Sequence, residues 1–178
     1  MTFEYDLKYY EKMLRQNSKT AEKICNIRWK FVDEVLTKND NVVLDYGSGV
    51  GWFKAFAPDK ASVDTHDIGC FPQTGINRHE YDLITFFDVI EHIESFSDIK
   101  SIISRTKYVA ATIPIVPKDK NLEDWKHFKP YEHLHYFNEK EFISLFKYIG
   151  FELIKKGTPE CPPRKDVVSF LFKQKGIK

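Results

Sequence analysis

The chain has 178 residues, with 42% hydrophobic and 30% charged side chains, which suits one domain with a sizeable core and excludes a disordered chain. A formal net charge of +1, divided as +1 over residues 1–40, −4 over 41–117 and +4 over 118–178, gives no case for a nucleic-acid or anionic-membrane partner. Cys25, Cys70 and Cys161 form no C-x-x-C, no run of about 18 apolar residues exists for a membrane span, and the N-terminus has no apolar leader segment, so a single cytoplasmic domain without disulfides is expected.

Residues 5–16 and about 19–37 carry helical spacing. Tyr9, Tyr10, Met13 and Leu14 give the first an apolar face. In the second, Ala21, Ile24, Ile27 or Arg28, Phe31, Val35 and Leu36 recur at that period, with Ser18 or Thr20 as N-cap. The stretch Asn41–Phe53, NVVLDYGSGVGWF, follows. Val42–Leu44 reads as a strand buried on both faces, closed by Asp45. Gly47, Gly49 and Gly51 then lead into a short helix starting at Trp52. A strand, a glycine turn and a helix N-terminus make a ligand cradle, because glycine permits positive φ and close approach and the first helical N–H groups lack partners. A dinucleotide site has G-x-G-x-x-G. Here the spacing is G-x-G-x-G with an acid two residues upstream, and that carboxylate repels a pyrophosphate but suits a cation.

These residues resemble motif I of the class I S-adenosylmethionine methyltransferases, an apolar run followed by D/E-x-G-x-G-x-G. The resemblance implies a Rossmann-like α/β fold, a mostly parallel sheet with an antiparallel final strand, N-terminal helices over the cofactor, and S-adenosylmethionine as cofactor. It implies that Asp45, Gly47, Ser48, Gly49, Gly51 and Trp52 hold the cofactor; Tyr9, Tyr10 and Arg28 either contact its methionine end or serve as core packing, for the tyrosines, and a surface charge, for the arginine.

Ala61–Ile68 reads as the second strand. The resemblance implies an acid at its end that accepts both ribose hydroxyls. Asp67, sixteen residues after Gly51, is preferred to Asp64, with Ile68 against adenine. Only Gly69–Glu80 separates this strand from the next, too little for the helix, strand and helix of the full fold. The family's third, edge strand is therefore expected to be missing, and Cys70 and Phe71 are the remaining candidates at adenine.

Tyr81–Ile93, YDLITFFDVIEHI, reads as a buried strand and its exit. It resembles motif IV of the ubiquinone-methyltransferase-like subgroup. Phe87 and Asp88 fall at the strand's C-terminal edge, where open α/β sheets bind ligands. Asp88 either faces the sulfonium or substrate, or caps the turn; Glu91 and His92 are expected to serve structure. A helix over 95–106 and a strand over Tyr108–Pro114 follow.

The irregular stretch Val116–Asn138 reads as a substrate lid. Its three histidines and a glutamate lack the spacing of a metal set, and no metal is expected. A histidine near pH 7 suits a general base, with His133 preferred to His127 and His135; the alternative is that all three serve structural hydrogen bonding. Asn138 and Glu141 form a capping box for a helix stopped by Gly150. Phe151–Lys156 and Val167–Gln174 read as a closing strand pair. The organisation is a helical lid (1–38), a cofactor core (41–115), the substrate lid (116–138) and a closing helix and hairpin (139–175).

The expected activity is methyl transfer to an O, N or C nucleophile. The position after the motif IV strand reads Phe87-Asp88-Val89-Ile90, not the (D/N/S)-P-P-Y block of amino-methylating DNA enzymes. No Pro-Cys pair for cytosine-ring methylation exists. A small metabolite, sugar or lipid head group is expected as acceptor, with no membrane or DNA partner. RNA stays open, as does a fold member that binds without turnover. A nicotinamide oxidoreductase is disfavoured by the glycine spacing and Asp45.

Overall fold

The computed structural model describes residues 7–15, 18–69 and 75–176. Six strands build one sheet: β1 (Asn41–Tyr46), β2 (Ala61–His66), β3 (Tyr81–Phe87), β4 (Thr106–Pro114), β5 (Phe151–Gly157) and β6 (Val167–Gln174). Their spatial order is β2-β1-β3-β4-β6-β5. Strands β1 to β4 run parallel, and β6 runs antiparallel to both neighbours. From β2 the chain crosses back over β1 to reach β3. That reversal leaves a crevice at the C-terminal ends of β1 and β3, the usual ligand position in such sheets.

The apolar runs serve two faces at once because alternate strand residues point to opposite sides. Leu44, Ile84, Phe86, Phe170 and Phe172 pack on α4 (Phe96–Ile103) and α5 (Glu139–Tyr148). Val43, Leu83, Ala110 and Leu171 pack beneath α2 (Ser18–Val32) and α3 (Trp52–Ala55). Stacked pairs lock each layer: Phe146 on Phe172 with centroids 4.0 Å apart, and Trp29 on Phe53 at 4.0 Å. The Trp29 indole N–H also donates to the Phe53 carbonyl at 3.1 Å.

Between β2 and β3 no strand forms among the described residues, so β2 is the sheet edge. Cys70 and Phe71 lie outside the described residues. Several boundaries differ from expectation. The first helix, α1, runs Leu7–Leu14. The second ends at Val32 and tightens into a 3-10 turn at Asp33–Val35, because Leu36 is already extended towards β1. Thr20 lies inside that helix and caps nothing. Strand β2 stops at His66, which leaves Asp67 outside the ladder and free to turn. Helix α4 starts after Ser95, whose hydroxyl accepts the Ser97 N–H. The α5 capping box is present as expected, with Asn138 accepting from Glu141 N–H and Glu141 accepting from Asn138 N–H. Gly150 follows at φ +100.

Candidate functional site

Three acids stand at three strand ends. Asp45 closes β1, Asp67 follows β2, and Asp88 follows β3. They border a cavity of about 590 Å³, within the size range of small-molecule sites. The glycine turn forms its floor. Gly47 has φ +77, and its N–H donates to the His66 carbonyl at 2.7 Å. A side chain at Gly47 would run into Val89. Gly49, at φ +53, points its N–H at Asp67 Oδ2, 2.7 Å away. Gly51 shapes the turn at φ +82 and does not line the cavity. Ser48 and Trp52 do line it. The Trp52 indole N–H is buried without a hydrogen-bond partner among the described residues.

Asp45 is 3% exposed and accepts the Thr85 hydroxyl at 2.8 Å. Burial pushes its carboxyl up to about 6, against the pull of that hydrogen bond and of Arg28. Asp67 sits deeper in a donor web. Its Oδ1 accepts the Tyr10 hydroxyl and, at 3.0 Å, the Gly69 N–H. Asp64 lies away from the cavity, paired with Arg78 at 3.2 Å and the Tyr81 hydroxyl at 3.3 Å. Ile68 reaches the cavity rim and is 76% exposed. Tyr9, Tyr10 and Met13 of α1, with Cys25 and Arg28 of α2, close one side. Burial raises the Tyr9 hydroxyl to about 12 and the Cys25 thiol to about 11, so both stay protonated at neutral pH.

Asp88 adopts φ +62 and caps nothing. Arg28 reaches it at 2.8 Å, and Arg164 holds both oxygens at 2.7 and 2.9 Å. Glu160, 3% exposed, ties the same two arginines at 2.8 and 2.6 Å. The Arg28 guanidinium also covers the Phe87 ring at 4.6 Å. Flanking guanidinium groups keep the Asp88 carboxyl down at about 2. So pinned, Asp88 lines the cavity wall as a paired anion.

The two histidines expected as bases, His133 and His127, stand off the cavity lining. His133 does not line the cavity; it is 5% exposed, packs against the His92 ring at 4.8 Å, and burial pushes it down to about 4. His127 lies off the cavity with Nε2 at 3.4 Å from the Lys165 carbonyl. His135 Nε2 meets the Ile93 carbonyl at 2.8 Å. His92, assigned a structural part from sequence, is the histidine that lines the cavity. Sequence reasoning missed Glu160 and Arg164, which sit in a loop that read only as a strand connection. The signal present was an acid and an arginine four residues apart.

From the segment 116–138, Pro130, Tyr131, Glu132 and Leu134 complete the cavity mouth. Tyr131 is 71% and Leu134 47% exposed. Chemically, the site offers a glycine turn that permits close backbone approach, an acid fit for a diol or a cation at β2, a buried acid at β1 and an apolar rim.

A family model described as "Methyltransferase domain" matches residues 15–156. Among curated proteins, none matches the chain with statistical significance. Among solved structures, a SAM-dependent methyltransferase from Archaeoglobus fulgidus is similar with TM-score 0.64 and 13% identity, over 93% of this chain and 98% of that one. Magnesium protoporphyrin IX methyltransferase from Synechocystis PCC 6803, with bound SAH, is similar with TM-score 0.60 and 18% identity, over 88% and 82%. The 16S rRNA methylase ArmA is similar with TM-score 0.57 and 12% identity, over 93% and 90%.

Proposed function

The chain belongs to the methyltransferase domain family whose model spans residues 15–156, and from that premise we propose that it moves a methyl group from S-adenosylmethionine to a nucleophilic atom of a small molecule. One observation carries this reading: the carboxylate of Asp67 and the glycine turn at Gly47–Gly49 are joined by a 2.7 Å hydrogen bond at the C-terminal edge of two neighbouring strands. That is where a nucleoside with a cationic tail can place its diol and its charge.

The fit of the cofactor rests on this chain's own groups. Asp67 accepts the ribose hydroxyls, for which the Tyr10 hydroxyl must give way. Ile68 covers adenine from the rim. The Gly47 and Gly49 backbone lets the methionine part approach closely, Asp45 stabilises its positive end, and the unpartnered Trp52 N–H supplies a donor. The bound cofactor brings a methyl group already activated on sulfur. The protein's work is then alignment and exclusion of water, with α1 and α2 as the cofactor lid and residues 116–138 as the substrate lid. Arg28, Asp88 and Arg164 hold the β3 end of the site in place.

The acceptor is read from the mouth. Exposed Tyr131 and Leu134 suit a ligand with an apolar face, and a net charge of +1 favours a small molecule over RNA. The ubiquinone-methyltransferase-like subgroup is supported by Tyr81-Asp82 and Glu91-His92 flanking β3. Free Cys25 and Cys161 suit a reducing, cytoplasmic setting. The test is calorimetric binding of S-adenosylmethionine and S-adenosylhomocysteine to wild type and to Asp67→Ala. Micromolar binding by wild type that the variant loses supports the assignment. Binding of NAD in place of both ligands overturns it, and binding without turnover of any acceptor would turn the reading towards a silent member of the family.

A further inference from the structure

We propose that Glu91, His92 and His133 form a binding site for one divalent transition-metal ion, buried behind the cavity wall and suited to a Zn²⁺-type cation. Their ligand atoms all lie within 4.8 Å of one another. The three come from two places the sequence separates widely: the 3-10 turn Ile90–His92 after β3, and the segment before α5. The turn is held against that segment by the Glu91 carbonyl, which accepts the Leu134 N–H at 2.7 Å and the His135 N–H at 3.1 Å.

Two of the three groups carry unused capacity where it is costly. Glu91 is 2% exposed and its Oε2 has no hydrogen-bond partner among the described residues; His133 is 5% exposed and its Nδ1 has none among them. A buried polar atom without a partner destabilises a fold, and a cation between them would satisfy both. The His92 tautomer is set for coordination. His92 Nδ1 lies 2.7 Å from the Glu132 carbonyl, which can only accept, so the proton is on Nδ1 and Nε2 keeps its lone pair. The His133 ring stands edge-on to the His92 ring at 4.8 Å, and its Nδ1 has no hydrogen-bond partner among the described residues. Carbonyl groups behind ligating histidines orient the rings in metal sites.

Two imidazoles and one carboxylate suit Zn²⁺ and related first-row ions, not Mg²⁺ or Ca²⁺. Three protein ligands leave further coordination positions for water or substrate. Because His92 also lines the cavity, the site is placed to hold the oxygen of a methyl acceptor. That consequence rests on the proposed methyl transfer; metal binding itself does not. The sequence-level expectation of no metal weighed the histidines of 116–138 together, and the fold instead pairs only His133 of that segment with the turn after β3.

The experiment is a titration of chelator-treated full-length protein with Co²⁺, read by visible absorption, with displacement by Zn²⁺ read by calorimetry. About one equivalent per chain is expected, with coordination bands that Zn²⁺ abolishes. Glu91→Gln and His133→Ala should each weaken binding more than roughly tenfold, while His127→Ala, outside the cluster, should bind as wild type does. Wild type with no stoichiometric binding overturns the proposal even if a variant fails to fold. So does unchanged binding in both folded variants. S-adenosylmethionine binding, measured in parallel on metal-free protein, should persist; its loss in wild type would instead count against the cofactor assignment.

Discussion

Asp45 is an acid at the glycine turn whose chemistry is displaced by burial from its ordinary state. Its carboxyl titrates near 6 when buried against Thr85, above the ordinary carboxylate value. A group raised in the folded state contributes stability that is complete below its ordinary value and is lost as pH rises through about 6. Asp45→Asn, which keeps an acceptor for Thr85, should therefore stabilise the cofactor-free protein at pH 7.5 by about 3 kcal/mol and leave it unchanged near pH 4, as measured by thermal melts. Cofactor affinity should move the other way. A cationic ligand favours the ionised acid, so S-adenosylmethionine binding by wild type should weaken about tenfold from pH 7 to pH 5. The Asn variant should bind weakly at both values. A wild-type affinity flat across that range, measured by calorimetry, would remove Asp45 from the charged part of the site.

At the scale of elements, the informative contact joins α1 to the end of β2. Tyr10 is 1% exposed and donates to Asp67, and a side chain at Gly69 would collide with its ring. Helix α1 is thus docked through the acid proposed to take ribose. Cofactor binding must exchange that hydroxyl for the diol, at a cost of about 1 kcal/mol. Tyr10→Phe should then bind S-adenosylmethionine about fivefold more tightly by titration calorimetry. Weaker binding would mean that the hydroxyl serves the ligand directly and that the exchange does not occur. The glycine turn acts with α1 in this respect, because Met13 packs over Gly49 while the Gly49 N–H holds the other oxygen of Asp67.

Across the whole molecule, one charged network ties three remote parts of the chain. Arg28 comes from α2, Asp88 from the end of β3, and Glu160 and Arg164 from the connection between β5 and β6. Two acids and two guanidinium groups balance, so removing one leaves a buried charge short of its partner. Arg164→Ala should lower the unfolding free energy by about 3 kcal/mol at pH 7, measured by urea denaturation, and Arg164→Ala with Glu160→Gln should recover part of it. A loss below about 0.5 kcal/mol would show that solvent or Arg28 compensates.

The strands and the cofactor cradle were legible because their signals are local. A continuous apolar run, three glycines at fixed spacing and an acid at each strand end depend only on neighbouring residues, and β1, β2, β3 and β6 lie where those runs stand. That β2 stands at the sheet edge among the described residues was legible from length alone, since the residues from Gly69 to Glu80 cannot hold two crossovers and a strand. The histidines were not. Which of His92, His127, His133 and His135 meets the cavity depends on how the segment 116–138 folds back over the turn after β3, through backbone contacts such as Leu134 to Glu91 that carry no sequence signature. The same holds for Arg164. The sequence by itself therefore determined the sheet, the glycine turn and the acids beside it, because strand burial and backbone freedom are properties of short stretches. Only the tertiary structure decided that Asp88 is pinned by two arginines and that Glu91 and His133 face each other, because pairing between distant charges is set by the packing that brings them together.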